Sequence, residues 1–141
     1  MPAINFFEEG ISYKLKNKTA VRKWIIETIV AEGYKLDELT YIFCTDEYLL
    51  QINQQYLDHD TYTDIITFDN SEEEGIIVGD IFISVERIKE NAAKFSVTET
   101  QELHRVMIHG ALHLLGYKDK SAADKKKMTL KEDQYLGTRS F

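Results

Sequence analysis

The stretch from Leu103 to Gly116 constrains this chain more than any other. Leu103, Val106, Met107, Ile108, Leu112 and Leu115 recur at helical spacing, and Gly116 follows as a natural left-handed stop. Thr98-Glu99-Thr100-Gln101 resembles a capping box at the opening end. Set into this apolar helix are His109 and His113. Four residues turn a helix about 40° past a full turn, so both imidazoles project from one face, one turn apart. Such a pair can chelate one zinc ion, or it can be an ordinary helix pair. Once Gly116 ends the helix, Asp119 can bring a carboxylate oxygen to the same ion. Two histidines and one carboxylate leave a fourth position for water, the arrangement of a catalytic zinc. His104 lies five residues before His109, about 140° around the helix, and falls outside this set. His59, in Asp58-His59-Asp60, reads as a solvated loop residue.

Elements before this helix are shorter and more β-rich. Ile4 to Glu8 and Ile11 to Leu15, separated by Gly10, read as a hairpin or two edge strands. Val21, Trp24, Ile25 and Ile29 define a helix over Lys18 to Glu32, with Gly33 as its stop. Thr40 to Cys44 is a strand, and Thr45 caps a helix whose first turn holds Asp46 and Glu47. Asp64 to Phe68 and Gly79 to Ile83 are further strands, with an exposed acidic loop, Asn70 to Gly75, between them. Ser84 opens a helix to about Lys94, and Ser121 to Leu136 forms the last one. The expected fold is mixed α/β (α+β): a mixed sheet packed with about five helices. With Pro2 the only proline, no linker and no repeat, residues 1–141 read as one domain.

Composition narrows the function classes. Cys44 is the only cysteine, so no intrachain disulfide forms; within Tyr41-Ile42-Phe43-Cys44 it reads as a buried thiol. No apolar run approaches a membrane span, and the N-terminus lacks the basic head and apolar core of a signal peptide, so a cytoplasmic protein is expected. A net charge of −7 is the wrong sign for coating nucleic acid non-specifically, although Lys118, Lys120 and Lys125 to Lys127 cluster beside the histidine segment. A zinc peptidase of the His-Glu-x-x-His type needs a glutamate base after the first histidine; here that position is Gly110, which leaves room beside the metal for a bulky substrate instead.

Three boxes in order resemble the YbeY family of bacterial endoribonucleases and rRNA maturation factors. His109 to Asp119 is similar to the family signature His-Gly-x-Leu-His-Leu-x-Gly-Tyr-Asp-His; Asn53 to Phe68 resembles its upstream box; and Gly79-Asp80-Ile81-Phe82-Ile83-Ser84 resembles its Gly-Asp-Ile-x-Ile-Ser. The chain departs from the family at Asp119, where the pattern has its third histidine, and at Lys118, where it has aspartate. It also has Leu57 in place of an arginine and Tyr62 in place of a proline. Aspartate is a competent zinc ligand. Losing the arginine leaves phosphate clamping to Lys118, Arg105 or Arg139, with Lys120 beside them on a basic rim.

The resemblance implies a single-strand-specific, metal-dependent RNase acting on rRNA, in maturation of the 16S 3′ end and ribosome quality control, with the small ribosomal subunit as partner. It implies one zinc ion held by His109, His113 and Asp119 at a helix end in a cleft. The rival readings are a ribosome assembly factor with a mainly structural metal, and another metal-dependent hydrolase. Asp64 and Asp80 each precede an apolar strand; they either bridge strand ends or orient a histidine ring.

Overall fold

The structure, a computed structural model, describes residues 2–57 and 62–141. Its elements run β1 (Ala3–Glu9), α1 (Lys18–Ala31), β2 (Lys35–Cys44), α2 (Asp46–Leu57), β3 (Ile65–Asp69), β4 (Ile76–Ser84), α3 (Val85–Phe95), α4 (Glu99–Leu114) and α5 (Ala122–Leu136). The four strands form one mixed sheet in the order β1-β2-β4-β3. β1 and β4 flank β2 in parallel, and β3 closes the sheet antiparallel to β4. The expected α+β fold with a mixed sheet and five helices is therefore what forms among the described residues.

The N-terminal hairpin does not form. β1 pairs in parallel with β2, Phe6 opposite Tyr41, and parallel neighbours need a crossover rather than a tight turn. Helix α1 is that crossover. The segment after Gly10 carries the chain back towards it without joining the sheet, and the Tyr13 amide donates to the Glu8 carboxylate at 3.0 Å.

Strand alternation sorts side chains onto two faces. One face meets α1 and α4 in the main core, which holds Leu39, Tyr41, Phe43, Ile77, Ile81 and Ile83 with Val21, Ile25, Met107 and Leu112. The other carries a smaller cluster under α2: Cys44, Leu49, Ile52 and Ile66, with Tyr48, Phe68 and Phe82 against it. Cys44 is fully buried, and burial pushes its thiol up to about 12, so it is inert as a nucleophile at neutral pH.

Two glycines bring α4 close to the sheet. A Cβ at Gly110 would lie 2.8 Å from Ile65 Cδ1 and 3.0 Å from Ile81 Cδ1; one at Gly79 would lie 2.8 Å from the Phe68 carbonyl and 2.9 Å from Leu114 Cδ1. Gly110 therefore serves helix–sheet contact. The expectation that it opens space beside the metal is corrected: the volume it vacates is filled by Ile65 and Ile81. The buried Tyr41 hydroxyl also donates to the Met107 carbonyl at 2.9 Å, anchoring α4 just before the histidine pair.

Candidate metal centre

Helix α4 is capped as its sequence suggests. Thr98 accepts from the Gln101 amide at 3.0 Å, although the Gln101 side chain binds Arg139 instead of completing the box. At the far end the Tyr117 amide donates to Leu112 O and the Gly116 amide to His113 O, with Gly116 at φ 101°. This is the Schellman pattern. It reverses the chain so that Asp119 faces the last turns of α4.

There His109, His113 and Asp119 come together, their candidate ligand atoms all within 4.8 Å of one another. His109 Nε2 lies 3.3 Å from Asp119 Oδ2, and His113 Nε2 lies 3.4 Å from Asp119 Oδ1. These separations exceed the usual N–H···O range. They match the edge of a tetrahedron about an ion with ligands at roughly 2.05 Å, which is about 3.3 Å. Two imidazoles and a carboxylate at this spacing could hold a metal ion.

Behind His109 stands Glu132 of α5, whose Oε2 lies 2.7 Å from His109 Nδ1. With Nδ1 donating to that carboxylate, the Nε2 lone pair is the one turned towards Asp119. Glu132 is buried and is held in turn by Arg105 at 2.8 Å, while Arg105 also reaches Asp133 at 2.6 Å. Burial opposes charge on the His109 ring, but the Glu132 hydrogen bond and the charges of Glu132, Asp119 and Asp64 outweigh it, and its pKa stands above the ordinary value.

The three residues open into a cleft of about 680 Å³. Asp64, Thr67, Glu102, Arg105 and Lys125 help line it. Burial, above all, raises the Asp64 carboxyl pKa despite the attraction of His109; Glu102 is raised by burial and then by the Asp64 charge. The cleft floor is thus rich in carboxyls, with Arg105 and Lys125 as cations on its wall.

The structure divides the remaining candidates. Asp64 lies in the cleft, but Asp80 does not. It is even-numbered on β4 with Phe82, faces α2, and accepts from Asn70 at 3.1 Å in a separate groove. The odd residues Gly79 and Ile81 face α4, so strand parity keeps Asp80 from orienting either histidine. Arg139 is also away from the cleft. It binds His104 Nδ1 and Gln101 Oε1 near the N-terminal end of α4, each at 2.8 Å, and donates to the Leu136 carbonyl at the end of α5, so all three nitrogens of its guanidinium are engaged. His104 is buried there against Trp24 and Phe141, and burial with the nearby Arg139 charge lowers its pKa to about 4. Lys118 and Lys120 are exposed on either side of Asp119. His59 lies outside the described residues.

Sequence reasoning missed Glu132 and Glu102. A signal was available. Met128, Glu132 and Tyr135 recur at i, i+4 and i+7 on the buried stripe of α5, and Glu102, Val106, His109 and His113 share one stripe of α4. A carboxylate in an apolar stripe needs a partner, and that of Glu132 is His109.

The family model described as "Endoribonuclease YbeY" matches residues 4–139. An "Endoribonuclease YbeY" of Cytophaga hutchinsonii is 54% identical over 138 residues, covering 98% of this chain and 96% of that protein. One from Flavobacterium psychrophilum is 51% identical over 130 residues, covering 92% of each. Among solved structures, a Thermotoga maritima protein determined in solution superposes with a TM-score of 0.66 at 28% identity, covering 95% of this chain and 87% of that one. With the matched residues running almost from end to end of both chains, this chain belongs to the YbeY endoribonuclease family.

Proposed function

We propose that this protein is a zinc-dependent endoribonuclease that cuts single-stranded RNA, acting in the cytoplasm on rRNA, including the 3′ end of 16S rRNA, and in quality control of the small ribosomal subunit. The observation that carries the metal reading is the spacing of His109, His113 and Asp119, whose Nε2–Oδ separations of 3.3 and 3.4 Å suit chelation better than hydrogen bonding. In that reading His109 Nε2, His113 Nε2 and an Asp119 carboxylate oxygen hold one zinc ion. When bound, zinc supplies Lewis acidity for a phosphodiester and for the attacking oxygen.

The chain's own groups do the rest. Glu132 accepts the Nδ1 proton of His109 and holds the ring in the tautomer that leaves Nε2 free; Arg105 holds Glu132. Lys125 on the cleft wall, with Lys118 and Lys120 on the loop around Asp119, forms a short basic rim for RNA phosphates. Arg105, with both terminal nitrogens on carboxylates, acts chiefly through Glu132. The acidic floor and the −7 net charge keep this contact local, so affinity falls with salt according to the few phosphates engaged.

The test pairs metal analysis with RNA cleavage. Wild type should bind one zinc per chain and cut single-stranded rRNA fragments in a chelator-sensitive way. His113→Ala should lose most of the zinc and the cleavage together, and Asp119→His should retain both. Full zinc retention by His113→Ala would remove the ligand assignment. Cleavage that persists after zinc is stripped would remove the metal's part in the reaction.

A further inference from the structure

Helices α1 and α4 end in the same way, and their ends abut. At α1 the Tyr34 amide donates to Ile29 O and the Gly33 amide to Val30 O, with Gly33 at φ 87°. This repeats the Schellman pattern of Leu112 to Tyr117. The two ends exchange tyrosines: the Tyr34 hydroxyl donates to the Leu115 carbonyl at 3.0 Å, and the Tyr117 hydroxyl donates to Glu32 Oε1 at 2.5 Å. The other oxygen of Glu32 accepts from Lys131 Nζ at 3.1 Å and from the Tyr135 hydroxyl, both on α5. Lys127 and Lys131 also set their ammonium groups 5.6 and 5.8 Å from the centre of the Tyr117 ring.

Glu32 is an unusual residue for this place. It sits at the C-cap of α1, where the helix dipole disfavours negative charge, and its side chain is only 10% exposed. Helix stability gives no reason for a carboxylate there. Its three donors do, and they outweigh the cost of burial, leaving its pKa below the ordinary glutamate value. Each donor lies next to the metal centre in sequence. Tyr117 precedes Asp119 by two residues, Lys131 adjoins Glu132, and Tyr135 follows Glu132 by three on the same helix.

We infer that Glu32 is a positioning residue for the metal centre: from α1 it ties the loop that carries Asp119 and the turn of α5 that carries Glu132 to one point. The inference rests on the metal reading above and deepens it. Glu32 touches neither the ligands nor the cleft. It sets where a ligand, Asp119, and the partner of a ligand, Glu132, stand relative to α4.

The experiment compares full-length wild type, Glu32→Gln, Tyr117→Phe and the double variant, with the exposed Glu27→Gln of the same helix as control. Zinc affinity is read by competition with a chromophoric chelator. Melting temperature is read with and without zinc, and hydrogen exchange of the backbone amides of residues 116–119 without it. Glu32→Gln and Tyr117→Phe should each weaken zinc binding about tenfold, at the lower end of what loss of an outer partner does. The double variant should add little to the worse single one, because both weaken the same Tyr117–Glu32 contact, Glu32→Gln by removing the charge on its acceptor and Tyr117→Phe by removing its donor. The rise in melting temperature on adding zinc should shrink, whereas a residue with a merely structural role would lower both melting temperatures alike. Glu27→Gln should match wild type.

Unchanged zinc affinity and unchanged exchange in both single variants overturn the inference. If wild type itself binds no zinc, the metal reading has failed. Exchange then decides the positioning: faster exchange at residues 116–119 in Glu32→Gln sustains it, and unchanged exchange overturns it. Should Glu32→Gln not fold, Tyr117→Phe, which removes one partly exposed hydroxyl, carries the same test.

Discussion

Replacing Glu132 by alanine removes a carboxylate that touches both a candidate ligand and the arginine of the cleft. The Glu132 side chain is 9% exposed, lies 2.7 Å from His109 Nδ1 and accepts from Arg105 at 2.8 Å. Its loss leaves the His109 Nδ1–H, on a ring 21% exposed, without a partner, at about 2 kcal/mol. Arg105 keeps its contact to Asp133, which is more than half exposed, so its share is smaller, about 1 kcal/mol. The sum of about 3 kcal/mol corresponds to a fall of roughly 10 °C in the melting temperature of the metal-free protein, for a chain of this length. Zinc affinity should drop between about tenfold and a hundredfold, because His109 no longer has its Nε2 lone pair held towards Asp119. Glu132→Gln keeps an acceptor oxygen for Nδ1 and should lose less of both. The assay is thermal unfolding without metal, together with chelator competition for zinc, on all three proteins. A Glu132→Ala protein that melts lower yet binds zinc as tightly as wild type would refute the reasoning, leaving Glu132 a packing residue of α5.

Two further outcomes follow from buried groups on α4. In the metal-free protein His109 and His104 should titrate on opposite sides of the ordinary histidine value of about 6.5, as read by NMR of the imidazole protons. The raised His109 pKa contributes stability that is fully present below that value and is lost as pH rises through the raised one; the His104 pKa, lowered to about 4, contributes stability present above the ordinary value and lost as pH falls towards about 4. Two histidines titrating together near 6.5 would contradict both environments. Gly110→Ala should destabilise by about 1 kcal/mol in urea unfolding, since overpacking against Ile65 and Ile81 outweighs the gain of roughly 1 kcal/mol in helix propensity. Zinc stoichiometry should stay at one per chain. An alanine variant as stable as wild type would show that α4 can shift away from the sheet.

What the sequence determined by itself is local and periodic. The helices over α1, α3, α4 and α5, the caps at Ser84 and Thr98, and the glycine stops at Gly33 and Gly116 are all legible, because a 3.6-residue period and a cap depend on neighbours a few positions away. The pairing of His109 with His113 belongs to the same class, since four residues of helix place them on one face whatever surrounds them. The approach of Asp119 is nearly local too, six residues on and across a single left-handed stop. Only the tertiary structure decided the rest. Asp64 and Asp80 look alike as residues before an apolar strand, yet the sheet order and the side on which α4 lies put one in the cleft and the other under α2. Arg105 and Arg139 look alike as spare cations, yet one holds Glu132 and the other His104. Glu132 reaches His109 across 23 positions and Glu32 reaches Tyr117 across 85. The physical reason is that period and capping fix which side of an element faces inward, while the partner it meets is set by packing between elements far apart in the chain, which no local spacing encodes.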